Sequence, residues 1–152
     1  MAVSVVASQS ASASSSRDRT ITFGGGWVPA VNDLVVMWGS SGSAATITTP
    51  SGWTNVLGGN TIVSDSIHGL FCIYHWVTST EATNGTMAYT ASTIWSGNTS
   101  GGAAGVVLRG VDTTTPIDST GTTFNGTAST TGVLPGLTGS NLSSNSLVLS
   151  GI

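Results

Sequence analysis

The sequence predicts an all-β fold: an antiparallel β-sandwich of jelly-roll-like type, with no significant helix, in one domain spanning residues 1–152. Three observations carry that expectation. Apolar residues do not recur at the three-and-four spacing of an amphipathic helix, and Gly, Ser and Thr interrupt every window that would hold one. Short runs rich in Val, Ile, Thr and aromatic residues recur instead, separated by clusters of Gly, Asn, Ser and Pro. Many short strands divided by turn signals point to two packed sheets or a barrel.

In chain order, the first expected strand is Val3–Ser8. The stretch "ASQSASASSSRDR" follows, and residues 11–18 read as a flexible Ser-rich connection. After a strand at Arg19–Phe23, "FGGGWVPAVND" reads as a turn-rich link whose Trp27 covers an edge of the core. "DLVVMWG" (Asp33–Gly39) and "GLFCIYHWVTS" (Gly69–Ser79) are nearly continuous apolar runs, so central strands are expected at Asp33–Gly39 and Gly69–Thr78. In the second, alternation places Phe71, Ile73, His75 and Val77 on one face and Leu70, Cys72, Tyr74 and Trp76 on the other. Further strands are expected at Ala45–Thr49, Trp53–Leu57, Thr86–Ala91 and Ala103–Val111. The last of these is rich in small residues that permit close backbone approach. Thr120–Asn125, Thr130–Leu134 and Ser146–Ile152 complete the set. The chain stops in an apolar strand, so the expectation is either that Ile152 ends a strand clamped inside a sheet or that C-terminal strands of the domain are missing.

Charge is scarce. Only 6% of residues are charged, Ser and Thr make up about a third, and the cations are Arg17, Arg19 and Arg109, with no lysine. Phosphate contacts need several cations on one face, so nucleic-acid binding is not expected. Attraction to an anionic membrane is not expected for the same reason, and no apolar stretch is long enough to span one. With so few ions, burial of rings such as Trp53 must supply most of the stability, at 150–250 Å² per indole. In "TPSGWT", Pro50 fixes φ and Gly52 can take positive φ, so the turn aims Trp53 into the sandwich.

Three stretches, "ITTPSGWTNV", "IYHWVTSTEATNGTMAYT" and "SGGAAGVVLRGVDTTTPID", resemble a recurrent β-sandwich domain of tailed-phage virion proteins and some bacterial surface proteins. They span about Asp33 to Asp118. The resemblance implies a jelly-roll-like fold and a structural or adhesive role, without a defined catalytic site. It also implies further strands after "SNSLVLSGI", with another Gly-Trp-Thr-like element.

Candidate chemistry is thin. Arg109 lies close in sequence to Asp112 and Asp118, and an Arg–carboxylate fork there would fix the loop after its strand. The alternative use of Asp112 and Asp118, a calcium site, lacks carboxylates, since calcium takes about 6–8 oxygens. No metal or other cofactor is expected. His68 and His75 are seven positions apart, which puts them on opposite faces of an uninterrupted strand. Asp65 and His68 with a serine would make a triad, but no G-x-S-x-G elbow is present. Glu81, in "TSTEATNG", is the only glutamate, which argues against paired-carboxylate glycosidase chemistry. Cys72 is the only cysteine and reads as a small buried hydrophobe.

The expected function is therefore that of a non-enzymatic virion structural protein: a head decoration, fibre or minor tail subunit. Its partners would be other virion proteins and copies of itself, and exposed strands would join neighbours by strand addition. The N-terminus lacks a basic segment and an apolar core of about 7–15 residues, so synthesis in the host cytoplasm without a signal peptide is expected. The alternative is an extracellular or cell-surface module, either a filament subunit or an adhesive domain that binds host surface glycans. Trp95, in the polar loop "STIWSGNTS", is the leading candidate platform for a sugar, ahead of Trp27, Trp38 and Trp76.

Overall fold

A computed structural model describes residues 3–13, 20–23, 26–41, 48–56, 61–62, 69–85, 87–90 and 101–117. The elements are β1 (Ser4–Ala13), β2 (Thr20–Phe23), β3 (Leu34–Ser41), β4 (Thr54–Asn55), β5 (Thr61–Ile62), β6 (Gly69–Trp76), α1 (Ser79–Asn84), β7 (Met87–Thr90) and β8 (Gly101–Arg109). The protein is all-β, and among the described residues every strand pair is antiparallel. A large sheet runs β1-β8-β3-β6-β4, with β5 also on β6, and β2 and β7 form a second, two-stranded sheet.

The core lies where the two sheets meet. Ile21 and Phe23 of β2 and Met87 of β7 pack with Val35 and Met37 of β3, Phe71 and Ile73 of β6, and Ala103 and Val107 of β8. Trp27 closes one side, edge-on to Phe23 at 6.0 Å between ring centres. The alternation read in β6 holds: Phe71, Ile73 and Val77 are in this core, while Cys72, Tyr74 and Trp76 lie in a second apolar cluster. That cluster uses the other face of the large sheet, through Leu34 and Val36 of β3 and Val106 and Leu108 of β8. β8, β3 and β6 are the interior strands of this sheet, and each carries apolar residues on both faces.

Glycine decides how closely β8 approaches its neighbours. A Cβ on Gly105 would stand 2.8 Å from the Phe23 ring, so its absence lets the second sheet's phenyl group rest on β8. Gly39 of β3 faces Phe71 on one side and Ala103 on the other.

Several expectations are corrected. β1 runs on to Ala13, through residues 11–13 of the supposed flexible connection, because the Gly101–Ala104 segment of β8 offers it a ladder. Local composition signals low complexity, but a long-range partner decides whether the backbone is extended. Residues 14–18 lie outside the described residues. The strand expected at Trp53–Leu57 is only Thr54–Asn55, and Thr48 and Thr49 are not in a strand. "TSTEATNG" holds the six-residue α1, a single short helix that leaves the expected all-β class without significant helix intact. The short β5 was not expected at all, since two residues carry no periodic signal. The three strands expected after residue 118 lie outside the described residues.

Candidate functional site

Among the described residues, a group of polar and aromatic side chains gathers at the end of β6. There the chain leaves His75, passes Val77 and turns at once into α1. Thr78 caps that helix: its hydroxyl accepts from the Glu81 N–H, and the Glu81 carboxylate accepts from the Thr78 N–H at 2.8 Å. Gly85, with φ 76°, ends the helix in the left-handed region that suits glycine. The cap fixes the Glu81 side chain so that its oxygens stand 2.8 and 3.0 Å from His75 Nε2.

The other ring nitrogen, His75 Nδ1, lies 2.8 Å from the Gly52 carbonyl oxygen. That carbonyl belongs to a turn in which the Trp53 N–H donates to Pro50 O, with Gly52 at φ 80° in its third position. The turn thus spans Pro50–Trp53, one residue later than "TPSG". It sets the Trp53 indole against the His75 ring, stacked at 5.2 Å and 26°. Tyr89 of β7 stands edge-on to the indole at 4.7 Å and 88°. Trp53 is half-buried and packs at the margin of the core rather than at its centre.

A histidine oriented by a carboxylate is the base-and-orienter pair of nucleophilic hydrolases. In that arrangement the second nitrogen faces a nucleophile. Here it faces a backbone carbonyl, so both nitrogens of His75 are engaged and the ring clasps α1 to the Pro50–Trp53 turn. The two contacts are hydrogen bonds together when both nitrogens carry protons. His75 is 11% exposed and Glu81 28%. Burial disfavours the charged Glu81, yet hydrogen bonds from the Thr78 N–H, His75 and the Thr78 hydroxyl, with attraction to His75, outweigh it and lower its pKa. Burial, with Glu81's charge, raises that of Tyr89, whose hydroxyl donates to the Met87 sulfur at 3.8 Å.

Arg109 forms its fork with Asp33, not with Asp112. Its Nε and Nη2 each donate to one Asp33 oxygen at 2.8 Å, and Nη2 also reaches Val28 O at 3.0 Å. Asp33 is buried at 1% exposure and accepts further from the Trp27 Nε1–H at 3.2 Å and the Ala30 N–H at 3.0 Å. Burial would raise its pKa, but the donors from Arg109, Ala30 and Trp27 reverse the sign and lower it. Asp112 instead accepts from the Thr114 N–H at 2.8 Å and so shapes its own loop. Asp118, Trp95 and His68 lie outside the described residues. Among the described residues, no group of three or more His, Cys, Asp or Glu is placed to hold a metal ion.

Two signals in the sequence point to this geometry. Thr78-x-x-Glu81 is the capping-box pattern, which marks a helix start. Asp33 is the only acidic residue abutting a continuous apolar run, a place where a carboxylate needs a buried partner.

Both carboxyls are held below their ordinary values, so the sign of the pH effect follows. Their stabilising contribution is complete above the ordinary carboxylate range and is lost as pH falls through the folded values. Urea midpoints are expected to change little between about pH 7 and pH 5 on their account, then to drop below about pH 4. Asp33→Asn with Glu81→Gln should flatten that drop. An unchanged midpoint down to about pH 2.5 would show that neither carboxylate supports the fold.

Cys72, in the second cluster, has its thiol pushed up to about 11 by burial. Maleimide labelling at neutral pH is expected to be at least about tenfold slower in the native protein than in urea. Equal rates would contradict this burial.

Fold and site together define an all-β protein in which each charged side chain among the described residues, Asp33, Glu81, Arg109 and Asp112, holds a loop, a turn or a helix in place. Comparison with models of protein families, with curated proteins and with solved structures returns no match.

Proposed function

We propose that this chain is a non-enzymatic structural protein of a phage virion, a head decoration, fibre or minor tail subunit, on a jelly-roll-like β-sandwich. The observation that carries the reading is the large sheet, which is apolar on both faces. One face meets the β2–β7 sheet, and the other bears Trp38, Tyr74 and Trp76 around Leu34 and Val36. Leu34 and Val36 are already covered, but Trp38, Tyr74 and Trp76 are only partly buried, which leaves apolar area there to bury against neighbours. A surface short of charge adds little like-charge repulsion when copies crowd together. The resemblance of "ITTPSGWTNV" and "SGGAAGVVLRGVDTTTPID" to virion β-domains supports the same reading. No helix among the described residues is long and apolar enough to cross a membrane.

The test is to purify particles from lysed host cells, identify the chain by mass spectrometry and locate it by imaging at subunit resolution. Stoichiometric, repeated density in a head or tail is expected. Absence from particles, with saturable glycan binding that Trp95→Ala abolishes, would replace this reading with that of an adhesive module.

A further inference from the structure

The two edges of the large sheet are unequal. One ends in β4 and β5, strands of two residues each, which offer almost nothing to pair with. The other ends in β1, ten residues long, or about 33 Å of extended backbone. Among the described residues, β1 has a ladder partner on one side only, β8. Ser8, Gln9 and Ser10 are exposed in succession, so both faces of the strand are open there. Val5 is also 50% exposed.

Edges of this length are normally blunted by charge, proline or a covering element. β1, "SVVASQSASA", has no charge and no proline, and its one irregularity lies between Val5 and Ala7, near its start. Beyond that point it is a regular strand with alternate N–H and C=O groups directed away from β8.

We propose that β1 is an assembly edge, and that its occupant is β1 of a second copy of this chain. The two strands run antiparallel about a twofold axis and join two large sheets into one. Three features select a copy over another protein's peptide. Each copy brings an edge already extended by its pairing with β8, whereas a free peptide loses conformational entropy on ordering. The strand is neutral and carries small side chains, so self-pairing sets no like charges against each other. A twofold contact also uses both long edges and, among the described strands of the large sheet, leaves only the two-residue edges outside, so this sheet closes on its partner rather than growing into a fibre. A head-to-tail contact would match β1 to β4 or β5 over two residues at most.

This inference deepens the assembly reading and rests on it only for its purpose. Sedimentation velocity of the full chain from about 1 to about 200 µM, with amide hydrogen exchange across the same range, tests it. A monomer–dimer equilibrium is expected, with β1 amides becoming protected as dimer forms. Ser8→Lys with Ser10→Lys should weaken the dimer at least about tenfold through like charges near the axis, without altering far-UV circular dichroism. Ser8→Thr with Ser10→Thr, and Thr113→Lys on the exposed loop, should leave it intact. A wild-type chain that stays monomeric, β1 protection independent of concentration, or a dimer indifferent to the lysines would overturn the proposal. If the lysine variant does not fold, wild-type exchange decides. A monomeric chain that is nonetheless found in particles would sink the edge pairing and leave the structural reading standing.

Discussion

Asp33→Ala is expected to destabilise the protein by about 3 kcal/mol, since removing one partner orphans the donors that met it. The carboxylate receives two bonds from Arg109 and one each from Trp27 Nε1 and Ala30 N. Its loss leaves the buried indole N–H without an acceptor, at about 1–3 kcal/mol, and removes charge-assisted bonds of about 1.5–3 kcal/mol. The Arg109 side chain is 44% exposed and recovers part of that by hydration, so the two contributions do not simply add. At about 2–4 °C per kcal/mol for a chain of this size, the melting temperature should fall by about 6–12 °C. Arg109→Lys should cost less than the alanine change but more than a surface substitution, because an ammonium cannot present a two-pronged fork. Calorimetry and urea melts of the three proteins check this. A loss under about 1 kcal/mol for Asp33→Ala would mean that the fork does not hold the 27–33 loop.

Gly39→Ala is expected to be comparably severe, at about 3 kcal/mol, the upper end of ordinary overpacking. The new methyl group would collide with Gly102 O, stand 2.7 Å from Phe71 Cε1 and lie 3.0 Å from Ala103 Cα. Two of those three atoms are backbone of β8, locked between β1 and β3, so they cannot move without breaking ladder hydrogen bonds. Gly105→Ala should cost less. Two of its three close neighbours are side-chain atoms, Phe23 Cζ at 2.8 Å and Met37 Cγ at 3.1 Å, and both can yield. Phe71→Leu in the Gly39→Ala background should recover only the ring's share. Full recovery, or a Gly39→Ala protein as stable as wild type, would show that β3 and β8 are less tightly apposed than the geometry states.

The clasp at His75 and the fork at Asp33 show how a chain with 6% charged residues uses them. Strands are held by their own ladders and by apolar faces. The connections have neither, so the loop before β3, the turn before β4 and the helix after β6 each depend on one carboxylate or one imidazole. This is why single-residue effects as large as those of truncating a buried aliphatic residue are expected at such anchors and at glycines between strands.

What could be read from residue order was local. The alternation of Phe71, Ile73 and Val77 against Cys72, Tyr74 and Trp76 gave both faces of β6, because strand period is a property of the backbone alone. Absence of helical spacing and abundance of β-branched runs gave the all-β class for the same reason. Whatever depends on which distant segment arrives alongside was hidden. Arg109 had Asp112 three positions away, yet it pairs with Asp33, 76 positions distant, because the β3–β8 register places Leu34 opposite Leu108 and brings the ends of those strands together. β1 gained its last residues from β8, and His75 met Gly52 and Glu81 because a turn and a helix start converge on the end of β6. Periodicity is written along the chain, whereas contact partners are set by the sheet order, which no single stretch of sequence contains.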